Sequence, residues 1–283
     1  MDRIAYKTAG TYALSVAATD EDGAPVTPTA PVAVEVFDGA GTSVYEGSAT
    51  PALGLLTAAV PVAELVQLDT YTCTWTDDAP SPLQFQSCFE LCGGHLFTVA
   101  DMRDHDPAFA SVAKYPEAKV RQGRLQAEMR FECAACLAYT PRARRISVPG
   151  DGTFRLRLPD NAIRSLVSVS IDAVALSADE LAELVIREWG AVDRPSTKVW
   201  TAGKTVAAHY LHGLDYAPEP VVTACKLLAR DYLMRSSLSS RATSETTDVG
   251  TFRVSVAGLG RPTGLPEVDE VAREFGRARP NIG

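Results

Sequence analysis

The sequence predicts an α+β multidomain protein: a β-sandwich over residues 1–97, a helical core with a β insertion over 98–235, and an extended C-terminal arm over 236–283. Three observations predict it. Up to residue 92, short runs of alternating apolar and polar residues are separated by Gly-, Pro- and Asp-rich breaks, as in strands joined by turns. Beyond residue 98 two segments take helical spacing, with an alternating stretch between them. After residue 236 the chain becomes polar and rich in Ser and Thr.

The front part reads strand by strand. Tyr12, Leu14 and Val16 alternate with Ala13 and Ser15, and Thr19–Pro31, with its Asp-Gly and prolines, is a turn and loop. Val32, Val34 and Val36 alternate again, and Asp38–Thr42 makes a hairpin-type turn into a strand at Ser43–Glu46. Leu53–Val60 and the Thr-, Tyr- and Trp-rich Tyr71–Thr76 are further strands. Asp77–Pro82 is a link and Gln84–Leu91 the last strand, broken by Gly93-Gly94. Short strands at this spacing fit a small sandwich, immunoglobulin-like in architecture only, since Trp75 follows Cys73 too closely for the antibody Cys…Trp…Cys pattern.

Thr98-Val-Ala-Asp101 matches a capping box and opens a short helix that ends before Pro107. Pro116 suits the first position of a helix, because its missing N–H has no partner there anyway, and that helix is expected to reach Ala138. Val120, Met129, Cys133, Cys136 and Leu137 are assigned to its inner face, and Lys119, Arg121, Arg124 and Arg130 to its outer face. Residues 144–214 return to strands, with alternating sets at 146–148, 154–158 and 167–173, a second capping box at Ser177-x-x-Glu180, and a hairpin closing on Thr205–Leu211. The last long helix spans Glu219–Arg235, with Val221, Cys225, Leu228 and Tyr232 on one face. Ser236–Asp248 reads as a linker, Thr251–Val256 as a strand without an evident partner, and Pro266–Phe275 as a final helix. Such a strand and helix suit docking on another subunit by strand or helix addition.

Composition narrows the function. With 46% hydrophobic and 22% charged residues the chain is an ordinary globular one, and no apolar run approaches the roughly 18–20 residues that span a bilayer. The start, MDRIAYKTAG, lacks the apolar core of a signal peptide. Residues 1–97 carry two basic residues, Arg3 and Lys7, against twelve acidic ones, a net of −10 in a chain whose total is −8. That front part is suited to a solvated outer surface and unsuited to phosphate binding. Six cysteines are too few for a disulfide scaffold.

The candidate chemistries are weak. Cys133 and Cys136 form a CxxC, but at the end of a helix, where the dipole opposes a thiolate. Cys88 and Cys92 lie too far apart on a strand to share a zinc ion with that pair. Asp101, Asp104, His105 and Asp106 cluster at a helix end, His209 and His212 lack an identified nucleophile, and the Gly258–Gly264 loop does not open a βαβ unit. Arg142, Arg144 and Arg145 form a basic patch with no aromatic residues interleaved. No cofactor, metal or catalytic residue is expected, and no enzymatic activity.

Four features taken in order carry a resemblance: the helix 116–138, the β insertion 144–214 ending in HYLHG (His209–Gly213), the helix 218–235, and the tail GRPTGLPEVD (Gly260–Asp269). Together they resemble the head-to-tail adaptor (connector) proteins of long-tailed double-stranded DNA bacteriophages, with the N-terminal domain as an addition. The resemblance implies a structural protein of the virion neck, assembled in the host cytoplasm. It implies a twelve-subunit ring under the portal protein, a stopper or head-completion protein below, and genomic DNA passing through without sequence-specific binding or membrane contact. It places portal docking at Arg261, Pro262, Leu265, Pro266 and Val268, and inter-subunit packing at Arg121, Arg124, Glu128, Lys226 and Arg230. The alternative is a binding module whose β-sandwich contacts capsid, accessory or host-surface proteins.

Overall fold

The computed structural model of the chain describes residues 2–20, 22–28, 31–52, 54–80, 82–234, 244–247, 250–253 and 262–277. The chain divides into two compact units: Met1–Gly94 with Pro141–Ile146 and Ala208–Leu211, and His95–Thr140 with Ser147–Ala207 and His212–Gly283.

The first unit is built on Asp2–Ala5 (β1), Thr11–Ala17 (β2), Val32–Phe37 (β3), Ser43–Ala52 (β4), Leu55–Pro61 (β5), Thr70–Asp77 (β6) and Gln84–Cys92 (β7). The strand positions follow the alternation in the sequence, because a period of two sends every second side chain to one face. Tyr12 and Leu14, the three valines of β3, Leu56, Ala58 and Val60 of β5, and Tyr71, Cys73 and Trp75 of β6 all point into one core. The expected two-layer sandwich is not what forms. All seven strands belong to one curled sheet, ordered β1-β7-β6-β3-β4-β5-β2, in which β1 and β7 are parallel. The cause lies in β4, which is ten residues long. It pairs with β3 through its first part and with β5 through Thr50–Ala52, so the sheet bends around its own core without splitting into layers.

The second unit holds the helices Val99–His105 (α1), Glu117–Ala135 (α2), Ala178–Ala182 (α3), Glu219–Leu233 (α4) and Pro266–Phe275 (α5). Both capping boxes are present: Thr98 and Asp101 bond each other's backbone N–H at 3.0 and 2.7 Å, and Ser177 and Glu180 do the same. The strands are Arg142–Pro149 (β8), Arg155–Arg157 (β9), Ile163–Ile171 (β10), Val174–Ala175 (β11), Val185–Ile186 (β12), Ala191–Asp193 (β13), Thr205–His212 (β14), Ser244–Thr247 (β15) and Gly250–Arg253 (β16). They form sheets ordered β11-β10-β14-β8, β12-β13-β9 and β15-β16, and β8 and β14 contribute residues to both units.

The expected α+β layout, an N-terminal sandwich followed by a helical core, is therefore replaced by a mostly β chain with five α-helices among the described residues. The helices make one modest cluster around Phe131, Cys225, Leu228, Val268 and Ala272. Alternating sequence dominates the rest of the unit, so that part is built from strands. Of the strand expected at Thr251–Val256, residues 251–253 belong to β16, which has a partner in its own chain, β15, paired antiparallel; residues 254–256 lie outside the described residues.

Candidate functional site

The long helix α2 turns Val120, Ala127, Phe131 and Ala135 into the core, but its inward side also carries charge that the apolar spacing does not suggest. Arg124, Glu128 and Glu132 are buried, whereas Met129 and Cys133 are exposed. Spaced four apart, the three buried residues form one row along the helix. Glu128 accepts the Leu96 N–H at 2.9 Å, and Arg124 donates to the Phe97 carbonyl at 3.1 Å. Glu132 accepts the Tyr139 N–H at 3.4 Å. The row thus satisfies backbone groups of the segment that leads into α1 and of the segment that leaves α2, which would otherwise be buried without partners. His95 Nδ1 lies 3.6 Å from Glu128. Burial alone would raise the Glu128 carboxyl, but His95, the Leu96 N–H and the Arg124 charge outweigh it and hold the carboxyl below its ordinary range.

Of the residues assigned to inter-subunit packing, Arg124 and Glu128 are therefore occupied within their own unit. Arg121 is exposed and pairs with Glu117 one turn away. Lys226 is half-buried, and Arg230 is exposed, with its Nε 2.8 Å from the Asp106 carboxylate. The structure does not bring these five together on one surface.

Arg261 lies outside the described residues. The rest of the assigned docking segment is latched onto its own helices. Both Nε and Nη2 of Arg130 donate to the Pro262 carbonyl, at 3.0 and 2.6 Å. The Asp269 carboxylate accepts from the Thr263 N–H at 2.9 Å and from its hydroxyl at 2.7 Å, closing a loop through Gly264 at φ +82°. Val268 is 0% exposed inside the core, Leu265 is half-buried, and Pro266 sits exposed in the first turn of α5. Past the helix, Tyr139 Oη donates to the Phe275 carbonyl at 2.8 Å, and the Arg277 N–H to the Ala135 carbonyl at 2.8 Å. Thr263 and Asp269 were missed as a pair by sequence reasoning. The spacing of a polar residue before a Gly-x-Pro turn and an acid in the following first turn was the available signal.

The other polar cluster belongs to the first unit. Asp69, buried, accepts Arg145 Nη2 at 2.6 Å and the Thr70 N–H at 2.9 Å, with the Gly39 N–H at 3.4 Å. Any Cβ at position 39 would meet this ion pair, which is why the Asp38–Gly41 turn carries glycine there. Buried His209 places Nε2 3.9 Å from Asp69, and that nitrogen has no hydrogen-bond partner among the described residues. A polar depression lined by Asp38, Thr70, Thr72, Thr74, Gln86 and Arg144 opens beside it. No family model matches this chain, and neither does any curated protein sequence.

Asp101, Asp106, Cys133, Cys136 and His212 belong to the second unit. Asp101 and Asp106 are helix caps, and Cys133 and Cys136 are free thiols, with Cys136 in the left-handed position that ends α2. His212 faces Asp160 at 3.9 Å.

The cluster makes the first unit sensitive to acid. Burial pushes the His209 imidazole down, the Arg145 charge pushes it further, and Asp69 and Asp38 oppose only in part. The folded protein then binds its proton less readily than the unfolded chain, whose histidine titrates near ~6.5. Stability is complete above that value and falls as pH drops through it towards the folded pKa. The urea midpoint is expected to decline between pH 7.5 and 5.5, and His209→Phe to flatten that decline. An equal slope in the variant would assign the pH dependence to other groups.

Proposed function

We propose that this protein is a structural subunit of a head-to-tail junction in a long-tailed phage, forming a ring between the portal and the lower neck. The observation that carries the reading is the path of the chain after α4. It leaves at Leu233, forms the β15–β16 hairpin as a two-stranded sheet of its own, and returns to be latched by Arg130 at Pro262 and by α5 in the core. A lone two-stranded ribbon is marginal in water and offers edges for strand addition. The ribbon lies in the chain between two anchored points, α4 and the Pro262 latch, which suits assembly onto a larger partner. The order of α2, an alternating β stretch, α4 and a Pro-Thr-Gly-Leu-Pro segment also supports the reading.

The latch changes how the reading is tested. Removing everything from residue 250 would also remove Val268 and Ala272 from the core, so loss of binding would be confounded with unfolding. The informative variant replaces 244–253 with a Gly/Ser linker and keeps α5. Native mass measurement of the full chain, alone and with its portal protein, is expected to give a ring that joins the portal, and the linker variant a ring that does not. A full chain indifferent to portal would overturn the proposal. The polar depression beside Asp69 favours a second reading, a binding module, whose test is capture of capsid or host-surface proteins by the full chain and its loss in Thr72→Arg.

A further inference from the structure

Folding collects, at one place in the second unit, four arginines and a tryptophan that the sequence scatters. β9 pairs with β13 so that Arg155 stands opposite Asp193 and Arg157 opposite Ala191. Arg155 and Arg157 share the exposed face of their strand while Leu156 is buried on the other. Arg155 grips the buried Asp193 carboxylate with both arms of its fork, at 2.7 and 2.8 Å, and Arg187 adds a bond at 3.1 Å. Arg157 is exposed and has no such partner among the described residues. Trp189 is 45% exposed, and the Arg277 guanidinium lies 5.7 Å from its ring centre.

The backbone holds that indole out at a cost. Trp189 sits in the left-handed region at φ 61°, ψ 33°, which β-carbon sterics make unfavourable for anything but glycine and a few short polar residues. Gly190 follows at φ +72°, pressed so close to the Leu158 and Asp160 carbonyls that no side chain fits. A large aromatic residue kept exposed in a strained position points to an interaction. Around it, Arg155, Arg157, Arg187 and Glu188 line an open pocket with an excess of positive charge.

The same chain carries a matching surface. At the start of β4, a groove in the first unit is lined by Val44, Tyr45, Glu46 and Glu64. Both glutamates are exposed, and neither has a cationic partner among the described residues. We propose that the arginine pocket of one copy receives the Glu46–Glu64 groove of a second copy. Guanidinium forks suit carboxylates, as the grip on Asp193 already illustrates, and the indole has Val44 and Tyr45 to cover it. The wider field agrees, since the pocket would approach a part of the chain with a net charge of −10. A contact between two different patches is heterologous and propagates around a ring, so the inference rests on the ring reading above.

The test is the assembly state of the full chain by sedimentation and native mass, at rising salt. The wild type is expected to associate and to dissociate as salt increases, because screening weakens charge pairing. Arg157→Glu and Trp189→Asn are each expected to weaken association by about tenfold or more. Asparagine tolerates the left-handed region, so Trp189→Asn is expected to leave the unfolding midpoint unchanged or raised, separating lost contact from lost folding. Combining Arg157→Glu with Glu46→Arg or Glu64→Arg is expected to restore association in one of the two pairings. Rings that persist unchanged in the pocket variants would overturn this contact and leave the ring reading standing. A wild type that stays monomeric, alone and with portal, would overturn both. Pocket variants that keep normal assembly but lose a fluorescent oligonucleotide would overturn the contact and assign the arginines to phosphates.

Discussion

Glu128→Ala is expected to lower the urea midpoint of the chain more than any surface substitution, by an amount equivalent to about 3–5 kcal/mol. The Leu96 N–H would lose its acceptor while remaining buried, Arg124 would lose the carboxylate that compensates its charge, and His95 Nδ1 would lose its neighbour at 3.6 Å. A cavity in the middle of α2 adds to this, because Glu128 is packed beside the core that holds Phe131 and Leu228. Glu128→Gln keeps an oxygen for Leu96 and loses the charge, so its cost is expected to be markedly smaller. The pH dependence separates the contributions. A carboxyl held below its ordinary value stabilises the fold above its unfolded pKa of ~4.3, and that stabilisation is lost as pH falls through the folded value. The gap between wild type and Glu128→Gln is therefore expected to close as pH falls below about 4. Equal midpoints for Glu128→Ala and wild type at pH 7 would mean that the row on α2 is not what ties down the Leu96–Thr98 segment.

That row also marks where the sequence ceases to be readable. Signals whose cause is local held: the Thr98 and Ser177 capping boxes, the prolines at 116 and 218 before their helices, and the alternation of Tyr12–Val16 and Val32–Val36. Each depends on a few neighbouring residues and the backbone between them. The inward face of α2 depends on which distant backbone groups need partners. Periodicity of apolar residues cannot see that, so Met129 and Cys133 were assigned inside and Arg124 outside, the reverse of the structure. The single curled sheet is invisible for a similar reason: whether β4 continues or breaks after Ala49 is decided by pairing partners far along the chain. Val268 was legible as an apolar position but not as a residue of its own chain's core. The arginine pocket draws on β9, the Trp189 turn and Arg277, segments that no spacing rule connects.

Gly213→Ala is the second substitution expected to be severe, and it tests the HYLHG segment directly. Gly213 lies at φ +97°, and a β-carbon there would run into the Thr140 carbonyl oxygen and crowd the Ala138 side chain. Its N–H donates to the Ala162 carbonyl at 3.0 Å, and the next N–H, of Leu214, donates to the Ala138 carbonyl at 3.0 Å. The glycine is thus the point where the exit of α2 meets the approach to α4, and neither backbone can retreat without breaking those bonds. Backbone strain and overpacking each contribute about 1–3 kcal/mol, so the combined loss is expected at about 3–5 kcal/mol. Gly203 supplies the control. It has a similar φ of +77° but open space where its β-carbon would go, so Gly203→Ala is expected to cost only the strain, about 1 kcal/mol. Comparable losses at the two positions would mean that backbone conformation alone requires glycine in HYLHG. A much larger loss at 213, read as a lower urea midpoint, would mean that the glycine is there to let two chain segments touch.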